Sequence, residues 1–332
     1  MRFLTLGIET SCDETAISVV EGDRKVLSNA VSSSVHLHRK FGGVVPEIAC
    51  RYHVEYIMSV LQKALSDAGV GLKDIDLISV TNGPGLSGAL LVGISFAKSL
   101  SFALNAPLIG VNHLHAHLWA AVITNKDLKF PFMGLVVSGG HTSLAYCKSF
   151  NDYKIIGQTR DDAAGEAFDK VSKILRLGYP GGPAIEKVSS RGNLGKMRLP
   201  KTRLKGNPFD FSFSGIKTAV LYYIREKNPG ISRYDIAASF QENVVDELVE
   251  RSLAACVEKN VKSLAIGGGV SANKRLREKL AEEAKKQNIK VFFPQMRFCV
   301  DNAAMVAGLG AKLYKSGKRS DLSLQAEPNL GF

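Results

Sequence analysis

An α/β protein with a duplicated lobe is the fold the sequence predicts, on three observations. Strand-like runs alternate with helical ones along all 332 residues, which is the signature of layered α/β domains. Residues 7–20 (GIETSCDETAISVV) and 135–147 (LVVSGGHTSLAYC) share one order of apolar strand, small polar turn, Thr and apolar strand, with Thr15 matching Thr142. Such internal similarity points to two equivalent units. Glycine-rich turns, VSGGHT (137–142) and GGGVSAN (267–273), follow strands and can bring backbone N–H groups against phosphate oxygens.

Taken in order, FLTLGIE (3–9) and AISVVEG (16–22) read as strands joined by a polar turn. Residues 46–69 carry a helical pattern that opens on Pro46 and closes on Gly69, the usual places for those two residues. DLISVTNGPG (76–85) is a strand running into a glycine turn, and a helix follows over 86–104. VNHLHAHLWA (111–120) has no Pro or Gly and predicts a helix. Residues 132–150 read as strand, turn and strand, and 263–280 as strand, glycines and helix. No apolar run reaches the roughly 18 residues of a membrane span, and the N-terminus shows no signal-peptide pattern. The five cysteines are far apart with no C-x-x-C, which predicts a reducing, cytoplasmic setting without disulfides or a Cys-based zinc site.

The net charge is +12, and residues 187–205 hold seven Lys/Arg and no acid. A basic segment of this kind suits either a polyanion such as nucleic acid or a solvated loop. Four more cations, Lys312, Lys315, Lys318 and Arg319, cluster further on.

Three of the seven histidines fall within five positions. On a helix His113 and His117 share a face and His115 points away from it. Two imidazoles at that spacing can share a metal ion, but H-x-x-x-H lacks a third ligand, and a solvated cluster has the same pattern. No P-loop and no clean G-x-G-x-x-G with a following acid is present, so a nucleotide site would be of another kind.

The motifs GIETSCDET, PGLSGALLVG, VNHLHAH, VSGGHT, DDAAGEAFDKVSKILRLGYPGGP, FSFSGIKTAV, GGGVSAN and VDNAAMVA occur in this order over residues 7–307. As a set they closely resemble the bacterial type of the TsaD family, the tRNA N6-adenosine threonylcarbamoyltransferases once described as O-sialoglycoprotein endopeptidases. The resemblance implies the two-lobed fold shared by actin, Hsp70 and sugar kinases. It implies lobes of residues 1–110 with 301–332 and of 111–300, and a cleft between them for metal and nucleotide. It implies transfer of a threonylcarbamoyl group from threonylcarbamoyl-AMP to the adenosine 3′ to the anticodon, tRNA position 37. It places metal ligands at His113, His117 and Asp301, a set that suits one divalent Fe or Zn ion. It places substrate contacts at Val136, Val137, Ser138, Gly139, Gly140, Asp169, Gly182, Glu186 and Asn273, where AMP- or ATP-like nucleotides would also bind. For Asn273 and Asp301 the plain alternative is helix capping.

Glu9 and Asp13, in the first turn of the repeat, are candidates for general base or water-mediated metal contact, with turn chemistry as the alternative. His141 follows the glycines of the second turn and is a candidate contact to phosphate or metal. Arg198, Lys201, Arg203 and Lys205 are candidates for tRNA binding. The family implies a paralogous TsaB-type partner, a TsaE-type small ATPase and a separate threonylcarbamoyl-AMP synthase, with no membrane. The family often carries a Glu between the histidines. Here Leu114, His115 and Ala116 stand there, so the H-E-x-x-H base of a metalloprotease is absent. The competing readings are an ATP-dependent small-molecule kinase of the same fold, which predicts Mg and a hydroxyl acceptor, and a non-catalytic nucleotide switch.

Overall fold

Two five-stranded sheets carry the fold of this computed structural model, which describes residues 2–197, 199–200, 204–225 and 230–332. The chain divides into two compact units, Met1–Lys126 with Pro294–Phe332, and Asp127–Phe293.

The first unit contains β1 (Leu4–Glu9), β2 (Glu14–Glu21), β3 (Lys25–Ser33), α1 (Val35–His38), α2 (Pro46–Ala68), β4 (Leu77–Gly83), α3 (Ser87–Leu104), β5 (Leu108–Asn112) and α4 (His113–Thr124). The second contains β6 (Phe132–Val137), β7 (Thr142–Ser149), β8 (Asp152–Gln158), α5 (Ala164–Ile174), α6 (Gly181–Ser189), α7 (Ser214–Arg225), α8 (Arg233–Glu258), β9 (Ser263–Gly267), α9 (Lys274–Lys286) and β10 (Lys290–Phe292). The chain then returns to the first unit for α10 (Ala303–Lys315).

The sheet orders are β3-β2-β1-β4-β5 and β10-β9-β6-β7-β8. In the first, β1–β2 and β2–β3 are antiparallel and β1–β4 and β4–β5 parallel. In the second, β6–β7 and β7–β8 are antiparallel and β6–β9 and β9–β10 parallel. The two sheets therefore have the same topology, with β6 in the place of β1, and the duplication read from the sequence is real. The matched threonines each fasten the second strand to a helix. Thr15 Oγ1 lies 2.8 Å from His53 Nδ1 of α2, and Thr142 Oγ1 accepts from Ala164 N of α5 at 2.9 Å.

Packing explains the strand sequences. β1 and β4 are buried along their whole length, as expected of central strands covered on both faces. α10 lies on β1 at Gly7, where a Cβ would run into the Ala303 carbonyl and Ala307. α2 ends on Gly69 at φ 65°, whose N–H meets the Leu65 and Ser66 carbonyls. The cores are separate: Leu6, Ile8, Val19, Ile78 and Leu90 in the first unit, and Leu135, Phe168, Phe211, Phe240 and Ile266 in the second. All five cysteines are free.

The tail after α10 lies along the edge strand β5. Ser320 N donates to Leu108 O and Gly110 N to Ser320 Oγ, each at 3.1 Å. Glu327 N donates to Asn82 O at 2.8 Å, Gly85 N to Pro328 O at 3.1 Å, and Asn112 Nδ2 to Gly331 O at 2.6 Å. An edge that would otherwise expose unpaired backbone groups is covered.

Two expectations are corrected. The break at residue 110/111 moves to 126/127, and the return moves from 301 to 294. The reason is that β5 must pair with β4 before α4 can pack on α10, so the histidine helix stays with the first unit. The sequence was also read as having no apolar run of membrane-spanning length. One helix, α3, is long and apolar enough by length and composition. It packs on β4 and α2 through Ala89, Leu90, Gly93, Ile94 and Ala97.

Candidate metal centre and substrate turns

The histidine helix begins where the sequence supplies its cap. Asn112 Oδ1 accepts from Leu114 N at 2.9 Å and His115 N at 3.2 Å, satisfying donors that a helix start leaves unpaired. His113 and His117 then lie one turn apart and edge to face, with ring centroids 4.5 Å apart. Asp301 arrives from the start of α10. The cap of that helix is Asn302, whose Oδ1 accepts from Met305 N at 3.1 Å and whose amide donates to the Phe298 and Val300 carbonyls. With capping done by its neighbour, the Asp301 carboxylate faces the histidines, 3.1 Å from His117 Nε2 and 3.5 Å from His113 Nε2. Ligand atoms of the three residues lie within 4.8 Å of one another.

The surroundings fit a metal ion. Glu9 Oε2 lies 3.0 Å from His113 Nδ1. An ionised carboxylate only accepts, so His113 Nδ1 carries a proton, and Nε2, which faces Asp301 and His117, is the nitrogen that a metal ion would take in place of a proton, as in carboxylate–histidine–metal triads. Glu9 is fixed in turn, accepting from Ser11 N and Thr81 Oγ1, each at 2.6 Å. His117 is fully buried, and neither of its ring nitrogens meets hydrogen-bond geometry; its approach to Asp301 is close but off line. Burial opposes charge on His113, yet the carboxylates of Glu9 and Asp301 outweigh it and hold its pKa up to about 9. Burial would also push Glu9 up, and His113 pulls it below the usual carboxylate range. Two carboxylates in a buried pocket thus favour positive charge between them, which a bound cation would supply.

Of the other predicted groups in the first unit, Asp13 is buried in the β1–β2 turn. Burial and then its charge push the adjoining Glu14 well above the carboxylate range and the Cys12 thiol upward. His115 points off the metal face as expected, with its ring 5.0 Å from Phe332. Burial and the charge of Lys318 press its pKa down to about 4.

The predicted substrate residues lie in the second unit. Val136 and Val137 are buried in β6, and Ser138 to His141 form the turn to β7, closed by Ser138 N to His141 O at 2.8 Å. Gly139, Gly140 and Gly182 face open space, with nothing within 4 Å of a Cβ. Nothing in the packing demands glycine there, so the room stands free for a ligand. Gly165 and Gly181, by contrast, are held tight against the Ser138 and Phe168 carbonyls. Asp169 Oδ1 accepts from Gly181 N at 2.6 Å. Glu186 accepts from Lys274 N at 3.2 Å. Asn273 caps α9, Oδ1 accepting from Leu276 N at 3.0 Å, while Nδ2 donates to Gln241 Oε1 at 2.9 Å and lies 3.4 Å from Glu186. The capping alternative weighed for Asn273 is therefore realised, and the one for Asp301 is not.

Sequence reasoning missed Thr81, Ser11 and Gln241. Thr81 comes beside Glu9 only because β4 pairs parallel with β1, and no local signal announces it. In the basic segment, Lys205 is exposed and its carbonyl accepts from Arg160. Arg198, Lys201 and Arg203 lie outside the described residues.

Comparison with known proteins bears on family and fold. The family model described as "TsaD: tRNA N6-adenosine threonylcarbamoyltransferase" matches residues 25–308. The tRNA N6-adenosine threonylcarbamoyltransferase of Clostridium botulinum strain 657 is 52% identical over 328 residues, 98% of this chain and 96% of that protein. The one from Thermosipho africanus is also 52% identical, over 98% of this chain and 99% of its own. Among solved structures, T. kodakarensis HypF has a TM-score of 0.65 at 16% identity, covering 97% of this chain and 49% of that one. The Acidaminococcus fermentans (R)-2-hydroxyglutaryl-CoA dehydratase component A has a TM-score of 0.57 at 13% identity. At such identities these two likenesses speak for the fold alone.

Proposed function

Because the chain belongs to the tRNA N6-adenosine threonylcarbamoyltransferase family, we propose that it moves the threonylcarbamoyl group of threonylcarbamoyl-AMP onto N6 of the adenosine 3′ to the anticodon of tRNA. The amine attacks the carbamoyl carbon, the bond from that carbon to the phosphate oxygen breaks, AMP departs and N6 gives up a proton. The observation that carries this reading is the set of buried His113 and His117 with half-buried Asp301, and Glu9 behind it.

These three side chains would hold one divalent ion, and a nitrogen-rich set favours Fe or Zn over Mg. Bound there, the ion would polarise an oxygen of the donor. The protein groups do the rest. Glu9 is committed to His113, Ser11 and Thr81, so we assign it the orientation of His113 instead of the general-base role anticipated for it. Asp13 is left as the acid of that turn to take the N6 proton. Ser138, Gly139, Gly140 and His141 form the turn we assign to the AMP phosphate, because its glycines face open space. Asp169, Gly182, Glu186 and Asn273 line the assigned ribose and adenine contacts. Asp169 holds the Gly181–Gly182 backbone, and Gln241 holds the amide of Asn273.

Arg198, Lys201, Arg203 and Lys205 keep their proposed place in tRNA binding. Val54 and Met58 of α2 and Leu91 and Phe102 of α3 are exposed apolar residues on helices that pack together. This is the face we assign to the paralogous TsaB-type partner, with a TsaE-type ATPase completing the assembly in the cytoplasm. The test is reconstitution with tRNA, threonine, bicarbonate, ATP, a threonylcarbamoyl-AMP synthase and the partners. The expected product is tRNA carrying the mass of one threonylcarbamoyl group. A phosphorylated small molecule with unmodified tRNA would replace the reading by the kinase one.

A further inference from the structure

The end of α10 gathers cations, two of which, Lys315 and Lys318, enter no ion pair among the described residues. No acid occurs between Asn302 and Ser320; Lys312 and Lys315 close α10, and Lys318 and Arg319 follow in the turn beyond it. Basic residues often sit at helix ends to cap carbonyls. Here the carbonyls are already met by backbone donors: Ser316 N to Lys312 O at 3.2 Å, Gly317 N to Tyr314 O at 3.0 Å and Lys318 N to Leu313 O at 3.2 Å. Arg319 adds a bond from its guanidinium to Tyr314 O at 2.6 Å. Lys315 and Lys318 are exposed and, among the described residues, pair with no carboxylate. The nearby cations Arg2 and Lys25 differ, since both are tied to Glu21.

The same cations are mounted on aromatic rings. Phe3 and Tyr314 stack with centroids 6.0 Å apart, Lys315 Nζ stands 5.6 Å over Phe3, and the Arg319 guanidinium lies 3.6 Å over Tyr314. Such contacts hold a charge in place at modest cost in side-chain freedom. α10 packs against α4, the helix that carries two of the metal ligands, so the cluster belongs to the unit that holds the metal site. It stands at the far end of α10, about 20 Å of helix rise from Asp301.

We propose that the end of α10 is an RNA-backbone contact surface, with Lys315 and Lys318 as its phosphate-binding cations and the Phe3–Tyr314 stack as its floor. The proposal rests on the reading that tRNA is the acceptor. It adds a surface in the first unit to the loop proposed in the second. An acidic protein is the other polyanion with matching charge, and the test separates the two.

The test uses the full chain and the charge-reversal pair Lys315→Glu with Lys318→Glu, leaving Arg319 and its cap intact. Thermal melting checks the fold, and Lys315→Arg with Lys318→Arg keeps the charge. Binding of tRNA is measured across a series of KCl concentrations. The reversed pair should bind at least about tenfold more weakly near 0.1 M salt, with a log–log slope shallower by about 1.5, as expected for two lost contacts. The arginine pair should match the wild type in both. An unchanged slope in a folded reversed pair would overturn the proposal. So would an unchanged slope accompanied by loss of a protein partner in size-exclusion chromatography, which would hand the surface to that partner. If wild-type chain and partners leave tRNA unmodified, the functional reading fails. If they modify it and the reversed pair does so with the same KM for tRNA, only this surface fails.

Discussion

Two helix starts, one in each unit, show how alike residues come to do different work. Before α10 stand Asp301 and Asn302; before α9 stands Asn273. At α10 the pair divides its duties: Asn302 caps the helix, and Asp301 is turned to the histidines. At α9 the one asparagine caps Leu276 N and also ties α9 to α8 through Gln241. The helices behind them differ as well. α10 is buried from Ala303 to Ala311, whereas α9 buries only Leu276, Leu280 and Ala284. α9 is held instead by Arg275 and Lys279 on Glu242 of α8, at 2.7 and 2.6 Å. A side chain can serve chemistry when a neighbour relieves it of capping and the element behind it is held by burial.

The largest expected effect tests the division at α10. Asp301→Ala should leave the melting temperature nearly unchanged, empty the metal site by elemental analysis and cut transfer by at least about a hundredfold. Asn302→Ala should do the reverse, costing about 1 kcal/mol of stability through the lost cap while the metal is retained. If both variants lose metal equally, the two residues do not divide the work.

A smaller effect is expected at Asn273. Serine still caps a helix, so Asn273→Ser should stay within about 0.5 kcal/mol of the wild type, while Asn273→Ala should lose about 1 kcal/mol. Neither short side chain reaches Gln241, and calorimetry with AMP should show affinity reduced about tenfold in both. Wild-type AMP affinity in the serine variant would leave Asn273 as a cap alone.

The smallest effect is a pH dependence confined to α9. Hydrogen bonds from Arg275 and then Lys279 hold the Glu242 pKa down to about 2. A depressed carboxylate stabilises the fold above its unfolded value, about 4.3, and that contribution disappears as pH falls through about 2. The pair is part-exposed, so about 1 kcal/mol is the expected size. Hydrogen exchange at pH 7 and pH 3 should show α9 amides losing protection while those of α10 do not. Glu242→Gln should remove the difference. Equal loosening of both helices would erase the contrast between charge-fastened and burial-fastened helices.

Much of this was legible in the sequence, for reasons that can be named. The repeat was visible because GIETSCDET and VSGGHT are local turns between short strands, and local chemistry repeats with the fold. The 111–120 helix and the shared face of His113 and His117 follow from helical period alone. Asn302 as the working cap was not legible, because Asp301 and Asn302 both cap well and only the position of the histidines separates them. The partners of Glu9 were not legible for a similar cause. A turn acid looks free until β4 brings Thr81 to its side and α4 brings His113. The unit boundary failed because it depends on β5 pairing with β4, a contact with no local trace.

The discontinuity of the first unit bears on how the protein is made. Ribosomes deliver the sheet of that unit complete through β5, then synthesise all of Asp127–Phe293 before α10 emerges. At about 5–20 residues per second that interval is on the order of ten to thirty seconds. Throughout it the groove over Gly7 stays uncovered, and Ser79, which will donate to Val306 O across 227 positions, waits for its acceptor. The nascent chain therefore carries an open apolar seam and two histidines without their aspartate until translation is nearly finished. A metal ion held by His113, His117 and Asp301 would find its ligand set complete only after α10 has been made.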